Sequence, residues 1–206
     1  MDTKEKILFN ALEMFSQTGY NTVSIRDIAE AVDIKESSIY YHFKNKQDIF
    51  DSIVERYENH IKGLMDILNT AVIDMDSTKP LSLSITFQAM KDYYFEKYLF
   101  DPFCNQVMRL MMIEQFHNEA IRNIYNRYLF ELPEKIQTET FRMVSRSGVM
   151  SEGDAVKTSR MFFSVMTMLT FRYLLNGDLT ETKKKVFCTE ALSFFGTFLG
   201  GDVKNG

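Results

Sequence analysis

Between Thr22 and Lys46 the chain concentrates side chains able to recognise duplex DNA. Ser37, Ser38 and Tyr40 offer hydroxyls for base edges, and the Tyr40 ring suits a thymine methyl in the major groove. Thr22, Arg26, Tyr41, His42 and Lys46 are donors of the kind that hold phosphates, and Lys35 stands beside them facing outward. Glu36 would repel phosphates or accept a hydrogen bond from a cytosine amino group. This is the chemistry of recognition. The chain has no Gly-rich phosphate loop, no Gly-x-Ser-x-Gly and no Cys/His cluster, so an enzyme is not expected.

Such side chains need a short helix presented outward. Ser24 with Asp27 three residues later is a capping-box-like start. Ile25, Ile28, Ala29 and Val32 then recur at helical spacing. Asp33 stands where the chain must turn, and Asp tolerates the left-handed conformation better than most residues. Ile34 and Ile39 would plug the gap between two helices. Lys35 supplies no side-chain cap, so the second helix is expected to begin a residue or two late, at Ser37. Phe43 packs inside, and Asn45 with Asp48 starts a further helix near Lys46. Upstream, Ile7, Leu8, Ala11, Leu12 and Phe15 mark an amphipathic helix, capped by Asp2 or Thr3 and ended by Gly19. The pattern predicts a three-helix helix-turn-helix head over residues 1–48, a device for placing a helix N-terminus in the major groove.

The run IAEAVDIKESSIYYHFKNKQDIF resembles the TetR-type transcriptional regulators. Ile39, Tyr40, Tyr41, His42, Phe43 and Lys46 match that family's head pattern. Asp33 stands where glycine is usual, Lys35 where a capping serine is usual, and Glu36 where a neutral or basic residue is common. The resemblance implies an all-α fold: an N-terminal three-helix helix-turn-helix head plus a C-terminal helical ligand-binding and dimerisation bundle, residues 49–200, with a flexible tail at 201–206. It also implies a small-molecule effector bound among the middle helices, a homodimer formed through the last two helices, and a double-stranded DNA operator as partner. A repressor released by its inducer fits this pattern best.

Charge is the main argument against DNA. The chain carries a net charge of −4. Residues 1–50 hold six basic residues (Lys4, Lys6, Arg26, Lys35, Lys44, Lys46) against eight acidic ones, a net of −2. A DNA reader should show a basic face. The acidic residues must therefore point elsewhere, and a dimer would double a modest set of phosphate contacts. The alternative is a helical ligand-binding or scaffolding protein whose head docks on protein. No membrane span or signal peptide is read, which places the chain in the cytoplasm as an expectation. Cys104 and Cys188 read as buried, unreactive thiols.

The rest reads as helices at 46–69, 81–99, 103–116, 118–147, 153–176 and 181–199. Pro102 suits the first position of its helix, and Pro133 predicts a kink or break. Among 18 Phe and 13 Met, a Met- and aromatic-rich middle suits an apolar, adaptable pocket. Phe87, Tyr94, Met108, Met111, Met112, Phe116, Tyr125, Phe141 and Phe171 are its candidate walls, with Arg109, Glu114 and His117 able to orient a polar end of an aromatic or lipophilic inducer. Phe162, Phe163, Met166, Phe194, Phe195 and Phe198 are the candidate dimer contacts. Glu114 and His117 form an E-x-x-H spacing, but a di-iron bundle needs a second copy, so no metal or cofactor is expected.

Overall fold

Asp2 accepts the Glu5 amide on its side chain (2.8 Å), which settles the first cap and starts α1, Thr3–Thr18. The stripe Ile7, Leu8, Ala11, Leu12, Phe15 is buried, as its spacing requires. Gly19 ends the helix at a φ of 88°, its N–H returning to the Phe15 carbonyl. The computed structural model describes residues 1–73, 90–146 and 151–198, with side chains for all of these except 67–73, 90, 144 and 195–198. Phe87 and the tail at 201–206 lie outside the described residues. Every regular element among those described is helical.

After α1 come α2, Ile25–Val32, α3, Glu36–Ile39, and α4, Lys46–Ile73. The Ser24–Asp27 capping box forms in both directions. Asp33 takes the left-handed conformation (φ 58°, ψ 49°) and donates its N–H to the end of α2. Asn45 accepts the Asp48 amide and Asp48 accepts the Lys44 amide, so the third start behaves as its sequence implies. One expectation shifts. α3 begins at Glu36, not Ser37, because the Lys35 carbonyl accepts the Ser38 amide (2.8 Å) without help from a side-chain cap. An aromatic cluster seals the head: Tyr20 lies 5.4 Å from Phe15 and 5.1 Å from Phe50, ring centre to ring centre.

Beyond the head the order is π1 (Met90–Leu99), α5 (Pro102–Glu114), α6 (Glu119–Asn126), π2 (Arg127–Glu131), α7 (Leu132–Arg146), α8 (Glu152–Leu169), π3 (Thr170–Leu174) and α9 (Glu181–Phe198). Asp101 caps α5 through the Cys104 amide (2.8 Å), and Pro102 takes the first helical position. The break expected at Pro133 takes the form of the π2 turn just ahead of it. A proline ring clashes with the carbonyl four residues back, and one extra residue in the turn relieves that clash.

One compact unit comprises residues 1–74 with 106–129, the other 75–105 with 130–206. In the first, Tyr57 meets Tyr128 edge to face, and Tyr128 donates to Glu58 (3.0 Å). In the second, α7 and α8 form a helical hairpin. Phe141 packs on Phe162 (5.8 Å), and Thr138 shares a hydrogen bond with Ser159 (3.0 Å). Phe187 of α9 meets Phe95 and Phe100 edge to face.

Candidate nucleic-acid interface

Ile39 and Phe43 are buried at 0% and 2% exposure, while the three residues between them face solvent. Tyr41 is 88% exposed and Tyr40 52%, and His42 is exposed as well. Two apolar anchors four residues apart thus hold a Tyr-Tyr-His turn outward. Its partner surface is the first turn of α3, where Lys35, Glu36 and Ser37 are exposed and Ser38 half-buried. Large exposed aromatics with polar ends are what a groove or phosphate contact uses. Thr22 sits on the loop between α1 and α2, its hydroxyl within hydrogen-bond distance of the Thr18 and Gly19 carbonyls (each 2.9 Å). Arg26 is exposed and paired with Glu30 (2.9 Å).

The acidic excess of the head is largely consumed at home. Asp2 caps α1, and Glu5 pairs with Arg56 (2.7 Å). Glu30 pairs with Arg26, and Asp48 accepts the Lys44 amide. Asp27 accepts both the Ser24 amide and hydroxyl (2.7 Å each), and these bonds hold its carboxyl below the ordinary aspartate range. Five of the eight head carboxylates therefore have structural duties, and the exposed cations Lys35 and Lys44 flank the tyrosine turn.

Lys46 makes contacts that the sequence reading did not foresee. Its ammonium donates to the backbone carbonyls of Tyr20 (2.9 Å) and Val23 (2.8 Å) and sits 4.2 Å from the centre of the Tyr20 ring. Those partners lie within the α1–α2 connection, so Lys46 staples α4 to the head. Glu114 is a second case. It is 5% exposed and accepts the Tyr20 amide (2.8 Å), beside Gly19, where an added Cβ would stand 3.2 Å from the carboxylate oxygen. It grips the head and does not point at a ligand, while His117, its E-x-x-H partner, is exposed. No sequence signal marked this contact, because its partners lie 94 residues apart.

The candidate ligand residues fall in both units. Met108 and Met111 of α5 and Tyr125 of α6 are buried in the first, with Met112 half-buried. Phe116 is 78% exposed and lines no interior wall of the chain. In the second, Phe141 is buried, and Phe171 stacks on Phe130 (6.4 Å, 17°). Tyr94 is half-buried over the whole residue, yet burial of its phenol pushes the pKa well above the ordinary tyrosine value. Sequence reading missed Gln137, which is buried on α7 beside the Tyr94 phenol and makes no hydrogen bond of ordinary geometry among the described residues. Its signal was a polar residue four positions from both Pro133 and Phe141 on one buried stripe.

Two dimer candidates are also corrected. Phe162 and Met166 are buried within the chain at 2% and 0%, because they fill the face of α8 turned to its own neighbours. Phe163 and Phe194 are half-buried, and the side chains of Phe195 and Phe198 lie outside the description. Among the described side chains of α8 and α9, the large apolar residues left exposed are Met161, Met168, Val186 and Leu192. No described helix is long and apolar enough to cross a membrane. Both thiols have pKa values raised first by burial, against nucleophilic use.

Residues 7–53 match the family model for bacterial regulatory proteins of the tetR family. The biofilm operon icaADBC HTH-type negative transcriptional regulator IcaR of Staphylococcus aureus is 26% identical over 196 residues, covering 95% of this chain and 98% of its own. Its Staphylococcus epidermidis counterpart is 34% identical over 87 residues, 35% of this chain and 47% of its own. Among solved structures, a TetR-family transcriptional regulator from Bordetella parapertussis superposes with a TM-score of 0.61 at 18% identity, covering 96% of this chain and 94% of its own. A structure from Saccharomonospora viridis, described as a transcriptional regulator in complex with choline, gives 0.62 at 20%, with 93% and 94% covered. These structural likenesses speak to the fold.

Proposed function

We propose that the chain, whose residues 7–53 match the tetR family model, is a TetR-type ligand-responsive repressor that binds operator DNA as a homodimer. One observation carries the reading: the Tyr40-Tyr41-His42 turn held outward between buried Ile39 and Phe43. Ser37, Ser38 and Tyr40 approach base edges, while Thr22, Arg26, Lys35, Tyr41 and His42, with Lys44, steady the phosphates. Likeness over nearly the whole chain to a negative regulator favours repression over activation. The exposed apolar residues Met161, Met168 and Leu192 on α8 and α9 support a two-fold contact through those helices.

Release by an inducer needs a mechanical link, and α5 supplies one. Near its start, Asn105 donates to the Leu174 carbonyl (2.9 Å), and at its end Glu114 holds the Tyr20 amide. A ligand that displaces α5 changes the tension on the α1–α2 turn and, through Lys46, on α4. Two heads then no longer match half-sites a helical turn apart. The coupling required is about 1–3 kcal/mol, and the ligand must bind the two head arrangements unequally.

Capture of genomic fragments on the purified protein tests this. The repressor reading expects a small set of fragments sharing an inverted repeat upstream of genes, released by a small molecule. A protein-docking scaffold would enrich no sequence over bulk DNA.

A further inference from the structure

Glu36 is the acidic residue of α3, the helix that also carries Ser37 and Ser38 and leads into Tyr40. None of the structural duties of the head's carboxylates falls to it. Asp2, Glu5, Asp27, Glu30 and Asp48 are each taken by an amide, a hydroxyl or an arginine. Of the other three, Glu13 is half-buried on α1 and Asp33 occupies the turn after α2. Glu36 is exposed, and its side chain closes no hydrogen bond or ion pair among the described residues. It does act on Arg26, whose guanidinium is raised first by its bond to Glu30 and further by the Glu36 charge. Arg26 and Glu36 therefore lie on one side of the head, but Arg26 is already held by Glu30 at 2.9 Å. One helical turn separates Glu36 from Tyr40, so the two share a face, and Tyr40 is 52% exposed on it. Lys35 and Ser37, the sequence neighbours of Glu36, are exposed as well.

A free carboxylate on this face is selective by its chemistry. The early residues of a recognition helix reach base edges in the major groove. An ionised carboxylate only accepts hydrogen bonds. Phosphate repels it, and so do guanine, which presents N7 and O6, and thymine, which presents O4. The donors on the groove floor are the amino groups of cytosine and adenine. Adenine sets its N7 acceptor beside that amino group, where it repels the second carboxylate oxygen. Cytosine sets a C–H there. Resting on the DNA-binding reading above, we propose that Glu36 is a specificity-determining residue, its carboxylate accepting a hydrogen bond from the N4 amino group of a cytosine in each operator half-site. At the matched site the bond offsets the repulsion between Glu36 and the DNA. At other sites the repulsion stands, so the charge that weakens binding in general sharpens the choice of sequence. A two-fold operator shows this as a cytosine in one half and, on the same strand, a guanine at the symmetric place in the other.

The test is selection from a pool of randomised duplexes at low salt by the full-length protein, as wild type, Glu36→Ala and Glu36→Gln. Glu36 is exposed, so both variants should melt as wild type does. Wild type should enrich an inverted repeat with a cytosine at one position of each half-site. Replacing that cytosine should lower wild-type affinity by about five- to tenfold, the lower part of the range for a base contact, and Glu36→Ala affinity by less than about twofold. Glu36→Gln should turn the position toward adenine, whose N6 and N7 a side-chain amide matches with its acceptor and donor. The other positions of the repeat should stay as in wild type. A cytosine preference retained in both variants overturns the proposal. So does a Glu36→Ala protein that binds every sequence tighter by one common factor, since Glu36 would then only repel phosphate. The two readings fail separately. A wild type that selects no sequence sinks DNA recognition and the Glu36 contact with it, whereas a selected repeat that Glu36→Ala leaves unaltered sinks the Glu36 contact alone.

Discussion

The head and the α7–α8 hairpin place their polar side chains in opposite ways. In the head, the residues offered for recognition stand outside, and other polar groups are matched: Lys46 to two carbonyls, the Tyr20 amide to Glu114 of α5, Asp27 to Ser24. In the hairpin and π3, Glu134 pairs with Arg160 and Glu139 with Arg142, yet among the described residues buried polar atoms of Gln137, Arg142 and Thr170 lack a hydrogen-bond partner. The first arrangement makes a rigid platform whose partner is large and comes from outside. The second leaves hydrogen-bonding capacity unused among the described residues.

The contrast breaks most visibly at Phe162. If it is interior to the hairpin, Phe162→Ala costs about 3–5 kcal/mol, and denaturant unfolding shows the loss at every protein concentration. A loss that grows on dilution would make Phe162 an interface residue instead. Lys46 comes next. Lys46→Ala should destabilise the head by about 1.5–3 kcal/mol, the range for hydrogen bonds to a charged group. The salt dependence of DNA binding by the folded fraction should stay as in wild type. A slope lower by about one unit would restore the phosphate role. The smallest effect is at Ser24. Ser24→Ala should cost about 1 kcal/mol. Asp27 is held below its ordinary value of 3.8, so the cap contributes fully above that pH and is lost as pH falls through the lowered value. The wild-type advantage over Ser24→Ala should therefore shrink on acidification. A pH-independent gap would show that Asp27 plays no part.

Legibility followed the range of the interactions. Ser24–Asp27, Asn45–Asp48, Asp101–Pro102 and the stripe of α1 are contacts within four or so residues, and each was readable from spacing. The outward tyrosine turn was readable because Ile39 and Phe43 bracket it at one helical turn. The Lys46 staple and the Glu114 grip were not, since their partners lie 23 to 94 residues away and lysine and glutamate are ordinary surface types. Phe162 and Met166 were misassigned for a related reason. An apolar helix face looks the same in sequence whether its own chain or a second copy covers it. Gln137 was passed over because a single polar residue in an apolar stripe reads as noise until its buried amide is seen to make no hydrogen bond of ordinary geometry among the described residues.

The central claim is that the exposed turn after α3 meets duplex DNA, and Tyr41 tests it most directly because its 88% exposure frees it from any part in stability. Fluorescence anisotropy of a labelled duplex is measured for wild type and Tyr41→Ala at low and high salt. The account predicts wild-type binding that weakens steeply as salt rises, and an affinity about tenfold lower for Tyr41→Ala at an unchanged melting temperature. Binding indifferent to salt, or a Tyr41→Ala protein that holds the duplex as tightly as wild type, would contradict it.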